Sequence, residues 1–122
     1  MDVIMGPWTA AHPENKPLAE AMGDEAWTTV ENAPGFTPKE SAPKGYGISG
    51  RVTSVVKQGN STQVFAAFTI WVDGQVSNSP PTQGSAAAEG SMTAEDAVRA
   101  IAENKVKQIL QVLKSGRVVQ PR

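Results

Sequence analysis

The side chains able to carry chemistry in this chain are few. His12 is its one histidine, and the sequence contains no cysteine. A single imidazole without thiolates cannot complete the four-ligand set of a structural zinc site. His12 also lies between Ala11 and Pro13 in a stretch without periodicity, where nothing would hold it in a Ser-His-Asp triad. The sequence therefore predicts no metal site and no catalytic histidine.

Two pairs of adjacent carboxylates are the remaining candidates for acid–base work. Asp24 and Glu25 form one pair and Glu95 and Asp96 the other, and both pairs fall in segments with helical periodicity. Carboxylates at such positions normally form a solvated helix face, and the second pair also suits the positive N-terminal end of a helix dipole. General acid–base catalysis instead requires a pKa tuned by the surroundings. We expect no catalytic residue and no cofactor, so we predict that the protein is not an enzyme.

The glycine-rich stretch at residues 45–50 resembles a phosphate-binding loop only at first sight. It lacks the Gly-Lys-Ser/Thr ending and the strand–turn–helix setting of such loops. Glycines within a predicted strand more often mark a bulge or a close approach of another element. This stretch predicts a strand and no cofactor-binding site.

Charge limits the possible partners. The 122 residues carry a net charge of −1, which argues against a general nucleic-acid binder. The charge is nevertheless polarised, since residues 1–40 hold seven acids and two bases, and residues 104–122 hold five bases and no acid. The two segments attract each other within one fold, or the basic segment contacts an anionic partner.

No segment is apolar enough to span a membrane. The longest apolar run, residues 64–72, falls well short of the roughly 20 residues that a bilayer requires. The first residues lack the basic and apolar regions of a signal peptide. We expect a soluble protein that is cytoplasmic, or extracytoplasmic with a signal sequence absent from this chain.

Two segments predict amphipathic helices. Residues 17–32 place apolar side chains four residues apart, interrupted by Gly23, which costs a helix about 1 kcal/mol relative to alanine. Residues 94–115 follow Thr93, which with Asp96 resembles a capping box, and end before Gly116. The second helix has a predicted buried stripe of Val98, Ile101, Ala102, Val106, Ile109, Leu110 and Leu113.

Alternating residues predict a β-hairpin between the helices. Residues 46–57 are apolar on one face and polar on the other, and residues 64–73 return after a turn. Residues 85–92 fit a short third strand. The predicted fold is α+β, an antiparallel three- to four-stranded sheet packed against an N-terminal and a long C-terminal helix. Residues 1–16 lack periodicity and predict a flexible N-terminal arm, followed by a single domain over residues 17–122.

The second strand of the hairpin provides the best functional lead. Phe65 and Trp71 lie on the face opposite its main apolar set, and an uncovered apolar face is a contact site. Trp8 of the arm either joins this interaction surface or covers it. The element order resembles many small envelope and assembly domains of bacteria, a likeness of architecture. We therefore predict a non-catalytic interaction or assembly domain that uses a sheet face or edge to bind a protein partner or form a homodimer. The alternative is a small-molecule binding module with an apolar pocket between sheet and helix, as in cystatin-like folds.

Overall fold

A computed structural model of the protein describes residues 1–42, 44–79, 81–118 and 120. A strand and a short 3-10 helix, Pro13–Asn15, precede the first of two long helices, and the second long helix follows the last strand. Neither helix has the length and apolar character needed to cross a membrane. The strands are β1 (Asp2–Ala10), β2 (Thr37–Lys39), β3 (Tyr46–Gln58), β4 (Ser61–Val72), β5 (Gln75–Val76) and β6 (Thr82–Glu89), and the helices are α1 (Lys16–Glu31) and α2 (Ala94–Ser115).

The six strands form one mixed sheet. Its order is β2-β1-β3-β4-β5, and β6 lies beside the other half of β4. Strand β1 runs parallel to both β2 and β3, whereas the remaining pairs are antiparallel. The α+β class is confirmed, but the prediction of an antiparallel sheet of three to four strands is wrong. The parallel pairs arise because α1 carries the chain from the end of β1 back to the start of β2.

The largest departure from the sequence prediction lies at the N terminus. Residues 1–16 were expected to form a flexible arm, but β1 within them pairs with a neighbour on each side. Its inward side chains include Val3, which is fully buried, and Met5 and Trp8, which pack against the core. The pairing register shifts between Met5 and Trp8, where Gly6 and Pro7 lie. This irregularity breaks the two-residue alternation that would have predicted a strand.

The hairpin of β3 and β4 forms as predicted. The strands are joined at Gly59 and Asn60 and pair along their whole lengths, from Tyr46 opposite Val72 to Gln58 opposite Ser61. One register shift, between Val52 and Ser54, marks a β-bulge. This hairpin is the centre of the sheet.

Helix α2 also forms as predicted. Thr93 Oγ1 accepts a hydrogen bond from the Asp96 amide at 3.1 Å, and Asp96 Oδ2 accepts one from the Thr93 amide at 3.0 Å. Gly116 ends the helix with a φ of +74°, a conformation that glycine adopts without strain. All seven residues of the predicted stripe are buried.

Trp8 is half-buried and packs against the core, between the sheet and α1. A Cβ placed on Gly50 of β3 would lie 2.8 Å from the Trp8 ring, and one on Gly23 of α1 would lie 2.5 Å from it. The indole also meets the Phe68 ring edge-on, with centroids 6.4 Å apart. The two glycines therefore leave the space that this indole fills.

Candidate interaction surface

Both helices pack on the same face of the sheet. Helix α1 contacts β1, β2 and β3, and α2 contacts β4 and β6. The residues of β4 that face the helices, at positions 64, 66, 68, 70 and 72, are buried, whereas positions 65, 67, 69 and 71 are only half-buried. We call the side opposite the helices the open face, and no helix or strand among the described residues covers it.

Trp71 is the largest side chain of the open face. Its indole Nε1 donates a hydrogen bond of 2.7 Å to Ser49 Oγ on β3. Directly opposite Trp71 lies Gly47, where an added Cβ would approach the Trp71 Cβ to 3.2 Å. The ring's one polar atom is thus satisfied within the chain, so Trp71 offers a partner only apolar surface.

Two exposed or half-buried aliphatic residues extend the surface around Trp71. Val76 of β5 pairs directly with Trp71 and is 50% exposed. Ile4 of β1 pairs with Gly47 on the other side. Sequence analysis missed both, because β1 was predicted as an arm and β5 is only two residues long.

Phe65 lies at the other end of the open face. It is six residues from Trp71 along β4, a separation of about 20 Å at the rise of a strand. Val56 of β3, 42% exposed, lines a shallow cavity of about 250 Å³ together with Phe65. The predicted aromatic pair therefore shares one face but does not form one contiguous patch.

Polar side chains separate the two apolar ends. Arg51 and Thr69 lie between them, with Gln83 of β6 beside them. These three residues help to line a surface depression of about 330 Å³. The open face thus has an apolar region at each end and, between them, a polar region with the positive charge of Arg51. The depression is lined by Pro7, Thr9, Ser49, Gly50, Arg51, Ala67, Thr69, Pro81 and Gln83.

Trp8 does not belong to this surface. Its contacts with Gly23 and Phe68 place it on the helix-covered face. The predicted grouping of Trp8 with Phe65 and Trp71 is therefore wrong, and so is the alternative in which Trp8 covers them. The sequence signal that could have predicted the position of Trp8 is the occurrence of Gly23 in a helix and Gly50 in a strand. A glycine in such a position often leaves room for a large side chain from another element.

A cavity beside β6 lies only partly between sheet and helix. It measures about 910 Å³ and is bordered by Ala100 and Lys105 of α2 as well as by Phe65 of the open face. Its lining also includes residues of β6 and of the stretch of β3 and β4 near Ser54. The helix-facing positions of β3 and β4 are filled, as shown by Val52, Val64 and Phe68 with no exposed surface. The helix-facing Gly84 and Ala86 of β6, in contrast, are half-buried and line the cavity.

The candidate acid–base and metal-binding residues are dispersed. His12 is exposed near Glu14, Asp24 is exposed, and Asp96 is engaged in the cap of α2. Glu95 pairs with Arg99 at 3.1 Å. Among residues 1–42, 44–79, 81–118 and 120, no three acidic or histidine side chains are grouped as a metal site would require.

Comparison with known proteins gives fold relatives only. No family model and no curated protein matches the sequence. A PelC dodecamer structure from Paraburkholderia phytofirmans superposes with a TM-score of 0.55 at 14% identity, over 84% of this chain and 81% of that one. A PelC point variant, also a dodecamer, gives 0.59 at 17% identity, over 90% and 84%. The hypothetical protein CT253 from Chlamydia trachomatis gives 0.63 at 8% identity, over 92% and 94%. This fold therefore occurs in bacterial proteins.

Proposed function

We propose that this domain is a non-catalytic assembly module that associates with further copies of itself through the open face. The observation that carries the proposal is the apolar group of Trp71, Val76 and Ile4 on a face that neither helix covers. A half-buried aromatic side chain with aliphatic neighbours and a polar surround is the usual composition of a binding hot spot. The dodecameric state of PelC, which has the same fold, supports a role in assembly.

The polar middle of the face supports specificity in the same proposal. Arg51 is exposed there and has no ion pair among the described residues. An orientation of the second copy that brings one of its carboxylates to Arg51 is favoured over other orientations, so Arg51 makes the association specific. The bacterial cell envelope is the setting that we propose, on the resemblance of architecture noted above.

Sedimentation equilibrium across a wide protein concentration range tests the proposal. The variants are Trp71→Ser and Val76→Ser, and the matched control is Met92→Ser, because Met92 is 48% exposed but lies outside the open face. We expect the wild-type protein and the control to associate, and each test variant to weaken association by more than about 1 kcal/mol, which is roughly fivefold. Circular dichroism should show that all variants remain folded.

Two results would contradict this function. One is a wild-type protein that stays monomeric at every concentration. The other is association that Trp71→Ser and Val76→Ser leave unchanged. The small-molecule alternative has less support, since the central strands β3 and β4 leave no pocket under the helices, where residues such as Phe68 are fully buried.

A further inference from the structure

Strand β6 is the long unpaired edge of the sheet. It pairs with β4 on one side and with no other strand among the described residues. An edge strand presents a row of free N–H and C=O groups, which proteins usually protect by shortness, proline or lysine. The opposite edge, β2, has three residues and includes Pro38 and Lys39. Strand β6 has eight residues, no proline, and no charge before Glu89 at its end.

A cavity of about 910 Å³ includes this edge. Its lining comprises residues of β6 and α2, such as Gly84 and Ala100, and extends inward to Phe65 of β4 and Ser54 of β3. The volume is toward the upper end of the range for ligand sites. A strand that is added to a sheet requires space beside the edge strand. The backbone of the added strand pairs with the edge, and its alternate side chains enter the groove between the edge strand and the helix.

Lys105 gives this groove a charge preference. Its aliphatic stem lies over Gly84, where an added Cβ would be 2.9 Å from the Lys105 Cε. Among the described residues that line the cavity, it is the one charged side chain. The described residues give it no ion pair, whereas Lys107, on the same helix, binds Glu103 at 2.8 Å. A carboxylate entering the groove would find this ammonium group without a competing partner.

We propose that β6 and α2 form a binding site for an extended segment of a partner protein, which adds to the sheet as a further strand and places an acidic side chain on Lys105. A second copy fits the groove less well. Two copies paired through their β6 strands would bring two Lys105 side chains to the same side of the joined sheet, and β6 offers no carboxylate before Glu89. This site shares Phe65 with the open face but includes neither Trp71 nor Val76, which carry the function proposed above, so it does not depend on that function.

The test uses a library of random eight-residue peptides displayed on phage. Selection is carried out on the wild-type protein and on three variants. Ala100→Tyr narrows the groove from an exposed helix position, Lys105→Glu reverses its charge, and Lys107→Glu is the matched control outside the groove. Circular dichroism verifies that all four proteins are folded. A synthetic copy of the most enriched peptide is then added to isotope-labelled protein and followed by NMR.

We expect wild type and Lys107→Glu to enrich peptides with an acidic residue at one fixed position. Ala100→Tyr should lose about tenfold or more of that affinity, and Lys105→Glu should select a basic residue instead. The amides that shift should be those of β6. Three results would overturn the proposal. The wild-type protein could enrich no peptides over the Ala100→Tyr variant, the charge of the enriched peptides could be independent of the charge at position 105, or the amide shifts could be confined to the open face. Self-association that Ala100→Tyr abolishes would also overturn it, by assigning the groove to a second copy.

Discussion

The indole of Trp8 occupies the space that a side chain on Gly23 would need. A Cβ built on Gly23 would lie 2.5 Å from Cδ1 and 2.7 Å from Cγ of the ring. These are atoms of a rigid ring, which is also in contact with Gly50 and Phe68. Trp8 therefore packs β1 against α1, and this packing requires a glycine at position 23, in the middle of the helix.

Gly23→Ala should consequently destabilise the protein, although alanine is the better helix former. Propensity alone would add up to about 1 kcal/mol to the free energy of unfolding. Overpacking a filled core typically costs about 1–3 kcal/mol, and the Trp8 ring cannot move aside cheaply. We expect a net loss of about 1 kcal/mol or more in chemical denaturation.

Asp24→Ala is the matched control for this substitution, because Asp24 is the next residue of α1 and is exposed. It should change the free energy of unfolding by no more than about 0.5 kcal/mol. A Gly23→Ala protein more stable than wild type would mean that Trp8 does not fill the space beside α1.

Ser49→Ala should release Trp71 on the open face. The serine hydroxyl accepts the indole hydrogen bond at 2.7 Å, and Ser49 is buried. Removing it should cost about 0.5–1.5 kcal/mol and move the Trp71 indole N–H resonance in an NMR spectrum. Ser54→Ala, on the same strand and the same face, is the control and should leave that resonance in place. An unmoved resonance in Ser49→Ala would show that the ring is held in another way.

The elements predicted well from sequence are those with uninterrupted periodicity. Both ends of α2 were predicted to within one residue. This is because the buried stripe and the capping residues Thr93 and Gly116 indicate the same helix boundaries. The hairpin of β3 and β4 is predicted less exactly, because the bulge between Val52 and Ser54 interrupts the two-residue alternation of β3 and because β4 begins at Ser61, three residues before its predicted start. For α2, local pattern was sufficient because packing and propensity favour the same conformation there.

The elements missed from sequence depend on distant contacts. Strand β1 interrupts its alternation at Gly6 and Pro7, and its pairing partners start more than 30 residues later, at Thr37 and Tyr46. Phe65 and Trp71 were placed correctly on one face, but their neighbours Val76 and Ile4 come from elements that periodicity cannot detect. The groove beside β6 is likewise a product of sheet order, which no local pattern encodes.

Ile109→Ala tests the packing of α2 on the sheet. Ile109 is 1% exposed and belongs to the buried stripe that covers β4 and β6. The change should lower the free energy of unfolding by about 2–5 kcal/mol, through lost burial and the cavity left behind. Gln111→Ala, at an exposed position of the same helix, is the control. A loss below about 1 kcal/mol for Ile109→Ala would mean that this side of α2 is not core.

Hydrogen–deuterium exchange tests the position of β1. Residues that pair in a sheet on both sides exchange only when the sheet opens, so their protection approaches that of the global fold. We expect the amides of Val3 and Ile4 to exchange as slowly as those of β3, because this part of β1 lies between β2 and β3 and the Val3 side chain has no exposed surface. The exposed turn at Gly59 and Asn60 is the internal reference for fast exchange. Exchange of Val3 and Ile4 at the rate of that turn would instead support the flexible arm expected from sequence, and would remove Trp8 from the core and Ile4 from the open face.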